Sequence, residues 1–116
     1  MPIIAWEDAP SRPRANDPDG FFKPFVNKET GAARLQMHVS CVGAGKRAHP
    51  PHKHAEEEII YVLDGRGIVQ LDDERTEVEP NAAVFIPSWV FHGIESAGDG
   101  PLRYMVILEP KREESG

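Results

Sequence analysis

A single cysteine, Cys41, in 116 residues leaves this chain no internal disulfide and gives no sign of an oxidising compartment. No apolar run approaches the roughly 20 residues of a membrane span. The N-terminus also lacks the basic-then-apolar order of a signal peptide. These absences predict a cytoplasmic protein with no membrane partner. Clustered basic residues are missing too: the lysines and arginines are scattered, and a formal net charge of −6 predicts no nucleic-acid partner. Neither an internal repeat nor a helix-turn-helix segment stands out. Cys41 reads as a small buried apolar residue in preference to a reactive thiol, because it follows Leu35, Met37 and Val39 at strand spacing.

What the chain does have is turn punctuation between short apolar runs. Eleven prolines and ten glycines divide it, and its length suits one domain. Leu35, Met37, Val39 and Cys41 alternate with Arg34, Gln36, His38 and Ser40, which predicts a strand with His38 on its polar side. Further strands are expected over 58–64, 68–71, 76–78, 83–87, 91–96 and 102–108, with a polar tip over 72–75 and a loop over 98–101. The segments 83–87 and 91–96 are expected to form one hairpin. Many short strands joined by turns suggest an all-β sandwich or barrel. Residues 1–30 are rich in proline, aspartate and glycine and predict an irregular arm with little strand. Their aromatic cluster, Phe21, Phe22 and Phe25, should pack on the outside of the domain or on a second subunit.

Three of the five histidines carry the chemistry. On a strand, His52 and His54 would project from one face about 6.6 Å apart, close enough to share a metal. Glu58 follows at the head of Ile59-Ile60-Tyr61-Val62-Leu63, and His92 ends a second apolar stretch about forty residues on. Imidazole nitrogen with carboxylate oxygen suits iron, manganese, nickel, zinc or copper. Pro50 and Pro51 cannot donate ladder hydrogen bonds, so the segment leading to His54 should be a strand edge or a bulge. His49 reads as an exposed residue at the mouth, or else as a further group around the metal. Glu56 and Glu57 should be solvated, with Glu56 the reserve ligand if the register differs by two. Tyr61 differs in parity from Glu58 and should face away from the metal.

The residues from Gly45 to Gly65 run G-x6-H-x-H-x3-E-x6-G, and after fifteen more comes Asn81 to His92, with Pro87 between them. This pair of segments resembles the two motifs of the cupin superfamily, over about residues 43–107. The resemblance implies a small single-domain cupin, an antiparallel β-barrel or double-stranded β-helix (jelly roll), with one divalent transition metal per chain. It places His52, His54, Glu58 and His92 at the ligand positions and Pro87 at the motif proline. Asn81 and Trp89 stand where turn glycines are usual, and Ser96 where asparagine is common. Asparagine tolerates the left-handed backbone, whereas Trp89 alters the loop at the barrel mouth and could belong to the substrate pocket. The domain plan is then an arm over 1–30, the barrel over 31–110 and a charged tail over 111–116.

By the same resemblance the protein is expected to be a metal-dependent enzyme acting on an oxygen-rich small molecule, such as a carboxylate, diketone or sugar acid, by dioxygenase or decarboxylase-like chemistry. A metal-assisted isomerase or lyase, and a non-catalytic small-molecule-binding module, are the alternatives. The acid or base that would move protons is sought among Gln36, His38, Arg103 and Tyr104. Apolar residues on the outward parity, Tyr61, Leu63 and Phe85, predict a homodimer.

Overall fold

A computed structural model describes residues 3–109, and the charged tail expected over 111–116 lies outside them. Nine strands carry the fold: β1 (Arg12–Arg14), β2 (Asp17–Val26), β3 (Gln36–Val42), β4 (Glu58–Asp64), β5 (Gly67–Leu71), β6 (Glu74–Val78), β7 (Ala83–Ile86), β8 (His92–Ser96) and β9 (Leu102–Leu108). All pairings are antiparallel. They form a six-stranded sheet in the order β1-β2-β3-β9-β4-β7 and a three-stranded sheet in the order β6-β5-β8. Two 3-10 turns, Trp6–Asp8 and Lys28–Thr30, are the other regular elements among the described residues. No helix there is long and apolar enough to cross a membrane.

The core lies between the sheets. Val42, Ile60, Val62, Ile86, Leu102, Tyr104 and Val106 form one buried cluster. Ile60, Val62, Tyr104 and Val106 share a face because Ile60 pairs with Val106 and Val62 with Tyr104 across β4 and β9. Removing a side chain as enclosed as Val62 or Leu102, both fully buried, costs about 2–5 kcal/mol for a leucine.

The N-terminal arm differs from expectation. Residues expected to be irregular form the β1–β2 hairpin, in which Arg14 pairs with Asp17 across a short turn and Asn16 takes φ 57°. A long-range contact fixes the hairpin: both oxygens of the buried Asp17 carboxylate accept the Gly43 N–H, at 3.1 and 3.0 Å. The aromatic cluster splits between the two faces of β2. Phe21 and Phe25 meet Trp6 on the outer face, at 5.9 and 5.8 Å between ring centroids, while Phe22 points into the barrel beside His38. Lys23 is buried under the same Trp6 ring, and its Nζ donates to the Ala9 carbonyl at 2.8 Å.

That cover inverts the reading of β3. The side carrying Met37, Val39 and Cys41 faces the arm, and the polar-looking side carrying His38 and Ser40 faces the interior. Both Cys41 and Ser40 are buried. A second correction concerns β7 and β8, which are not a hairpin. β7 pairs with β4 in the larger sheet and β8 with β5 in the smaller, so the turn at 87–91 crosses between sheets. Pro87 has no N–H for a ladder, and Trp89 at φ 67° reverses the chain.

Candidate metal centre and its cavity

The segment expected as the ligand strand is irregular. Between β3 and β4 it makes two isolated bridges, Arg47 to Glu95 and His52 to His92, because its adjacent prolines remove two backbone donors. The second bridge is the important one. His52 N–H donates to the His92 carbonyl at 2.9 Å and His92 N–H to the His52 carbonyl at 2.8 Å. The turn at 87–91 secures His54 similarly: Trp89 N–H donates to the His54 carbonyl at 2.8 Å, and the Ser88 hydroxyl donates to the Ala55 carbonyl at 2.5 Å.

These constraints bring together His52, His54 and His92, whose candidate ligand atoms all lie within 4.8 Å of one another. Glu58, at the start of β4, places Oε1 3.2 Å from His54 Nε2 and 3.5 Å from His92 Nε2. Two tautomers follow from the backbone. A carbonyl can only accept, so His92 Nδ1 donates to Val90 at 2.9 Å and His54 Nδ1 donates to Glu56 at 3.0 Å. Both rings therefore turn Nε2 towards the cluster, where His54 Nε2 lies within hydrogen-bond distance of Glu58 Oε1 and each Nε2 can take a metal in place of a proton. His92 Nε2 is buried and has no hydrogen-bond partner. Such an atom, converging with two imidazoles and a carboxylate, fits a divalent transition metal by donor type and tautomer.

The charges of the cluster are mutually adjusted. Burial raises the Glu58 carboxyl, but His92 and His54 outweigh this and hold it below its usual range. Burial lowers His92, yet Glu58 and the Val90 carbonyl leave it raised overall. His52 is lowered by burial and then by repulsion from His49, His92 and His54.

The cluster forms one wall of a cavity of about 310 Å3. The cavity is also lined by residues from β1, β2, β3 and β9, among them Arg14, Phe22, His38, Ser40, Tyr104 and Val106. His38 is driven down to about 4, chiefly by burial, so its imidazole is neutral at pH 7. Tyr104 is raised, again by burial first, and keeps its phenol proton.

Of the four residues considered for proton transfer, His38 and Tyr104 line the cavity. Gln36 is exposed at the start of β3 and is not among the lining residues. Arg103 lies on the outer face, 5.5 Å from the Trp6 ring. His49 is exposed and stacks 4.2 Å from His52 at the cavity edge. Glu56 is not the solvated residue expected: its carboxylate lies 3.6 Å from His54 Nδ1, on the ring edge turned away from the cluster. Tyr61 faces outward, where its hydroxyl donates to Asn81 Oδ1 at 3.2 Å. Asn81 takes φ 72°, the left-handed conformation a turn glycine would supply, and exposed Trp89 does not line the cavity. Arg14 and Ser40 escaped the sequence reading. The turn residue Asn16 between two runs that proved to pair was the available signal for Arg14.

Two antiparallel sheets around a cavity, with three histidines and a glutamate on one wall, define a small β-barrel with a candidate metal centre. The cupin-domain family model matches residues 38–108, and the chain belongs to the cupin family. An uncharacterised protein of Methanocaldococcus jannaschii, MJ1618, is 31% identical over 100 residues, covering 76% of this chain and 80% of that protein. Protein SchB of Streptomyces halstedii is 30% identical over 109 residues, covering 93% and 77%. Among solved structures, the polyketide cyclase RemF of Streptomyces resistomycificus superposes with a TM-score of 0.82 at 26% identity, covering 97% of this chain and 81% of that one.

Proposed function

We propose that this cupin is a metal-dependent enzyme that binds an oxygen-rich small molecule across the cavity and moves protons on it without consuming oxygen. The observation that carries the reading is the convergence of His52, Glu58 and the inward-turned Nε2 atoms of His54 and His92 in a cavity that His38 and Tyr104 also line. A bound divalent metal would act as a Lewis acid on a substrate carbonyl or carboxylate. The chain's own residues supply the rest. His38, neutral at pH 7, offers an unprotonated ring nitrogen to a substrate proton, and Tyr104 keeps a phenol proton for a substrate oxygen; a substrate acidified by a bound metal would match the weak base that burial makes of His38. Phe22, Ile60 and Val106 add apolar lining to the cavity, which strengthens electrostatic contacts within it. Similarity to a polyketide cyclase over nearly the whole chain favours a cyclase, isomerase or lyase reaction on a carbonyl-bearing substrate.

Dioxygenase or decarboxylase-like chemistry is the second reading, favoured by a three-histidine, one-glutamate ligand set that suits iron or manganese. The two separate in one experiment. Metal-reconstituted protein is incubated with diketones, hydroxy acids, dicarboxylates and sugar acids in deuterated buffer, with NMR detection and an oxygen electrode. Metal-dependent deuterium incorporation or rearrangement with neither oxygen uptake nor loss of a substrate carboxyl as carbon dioxide is expected. Oxygen uptake or carbon dioxide release matched to substrate loss would establish the second reading, and no metal-dependent turnover would leave a binding module. A homodimer is part of the proposal, since Phe85 and Ile59 pair on the outer face and are 55% and 40% exposed. A purely monomeric mass by light scattering would remove it.

A further inference from the structure

Arg14 ends β1 and lies, with Phe22 and Ala48, on the lining of two cavities. One is the cavity of about 310 Å3 beside the histidine cluster; the other is an open groove of about 720 Å3 on the arm side. Arg14 lines both. Its guanidinium is held in place: Nε donates to the Cys41 carbonyl at 3.2 Å and Nη2 to the Ser40 hydroxyl at 3.0 Å. Both acceptors are uncharged oxygens, so the positive charge is positioned but not neutralised. Those bonds use two of the five guanidinium N–H groups, leaving donors for a planar, two-oxygen acceptor. Among the described residues no carboxylate forms an ion pair with it.

The groove reinforces this arrangement. It is also lined by Arg12, Lys46 and Arg47, on a chain whose net charge is −6. Together with Arg14 these make four cations against two carboxylates, Asp17 and Glu95, and Glu95 is further paired with Arg75 at 2.7 Å. A local excess of cations on an acidic protein draws anions towards that opening.

We infer that Arg14, with Ser40, is the anion-holding group of the cavity and that the substrate is a small acid, its carboxylate on Arg14 and a second oxygen towards the histidines. This deepens the enzyme reading above and rests on it for the second oxygen. The carboxylate contact itself needs no metal. Lysine at position 14 would keep the charge but lose the fork that binds both oxygens.

The test uses metal-free protein and two probes, malonate and its uncharged analogue malonamide, with binding followed by calorimetry and folding by circular dichroism. Wild type should bind malonate saturably and malonamide at least tenfold more weakly. Arg14→Gln should raise the malonate Kd at least tenfold, with Arg14→Lys between the two. The inference is overturned if wild type does not bind malonate, if malonamide binds equally well, or if Arg14→Gln leaves the Kd unchanged. Should Arg14→Gln unfold, Arg14→Lys decides, and an unchanged malonate Kd overturns the inference. Metal uptake is measured separately: protein that takes up no metal yet binds malonate through Arg14 loses the enzyme reading and keeps this one.

Discussion

His52 and His92 exchange both of their backbone hydrogen bonds, at 2.9 and 2.8 Å, although forty residues separate them in the chain and His52 lies outside any strand, bridging alone to the first residue of β8. The contact is made by main-chain atoms, so side-chain replacement spares it. Metal binding and folding can therefore be separated by mutation. Either histidine to alanine should weaken metal binding about 100-fold or more while the far-ultraviolet dichroism stays that of wild type. Dialysis against a chelator followed by metal titration measures the first, and a spectrum the second.

Glu58→Gln should be milder. The amide keeps an oxygen facing His54 and His92 but loses the charge. A loss of about tenfold in metal affinity is expected, against the larger loss for a histidine. A glutamine variant as weak as His92→Ala would assign the carboxylate a larger role than its placement here.

Gly93 follows His92 and lies against Pro51. A Cβ there would sit 3.0 Å from Pro51 Cγ and 3.3 Å from Pro51 Cα, forcing apart the two segments that bring His52 to His92. Gly93→Ala should destabilise the fold by about 1–3 kcal/mol and weaken metal binding, although it touches no ligand. Denaturant unfolding together with metal titration reads both effects, and unchanged metal affinity would mean that the two segments accommodate the methyl group.

His38 makes stability depend on pH. Its folded value of about 4 lies below the usual 6.5, so between those values the unfolded chain binds the extra proton. The contribution is complete above pH 6.5 and is lost as pH falls towards 4, with a ceiling of about 3 kcal/mol. His38→Gln should flatten the metal-free stability profile by about one proton across that window. An unchanged slope would place the titration elsewhere.

Strands β4 and β9 were legible because β-branched and aromatic residues run between clear turn signals, and the observed bounds, Glu58–Asp64 and Leu102–Leu108, match the expected ones. The spacing of the histidines and Glu58 was legible as well, through its resemblance to a family pattern. What escaped was whatever depends on cover from elsewhere in the chain. With the arm on one side and the cavity on the other, β3 is buried on both faces, so hydrophobic alternation could not say that His38 and Ser40 point inward. The arm looked irregular because its pairing is anchored by Asp17 on Gly43, 26 residues away. β7 and β8 looked like a hairpin because no local signal reveals that a turn passes between sheets.

His52, His54, Glu58 and His92 should together hold one transition metal per chain. The most direct test is elemental analysis of protein purified without added metal, wild type beside His92→Ala, with metal quantified per chain. Close to one iron, manganese, nickel, copper or zinc per wild-type chain is expected, and little in a folded His92→Ala variant. Equal metal in the two, or none in wild type even after reconstitution, would contradict it.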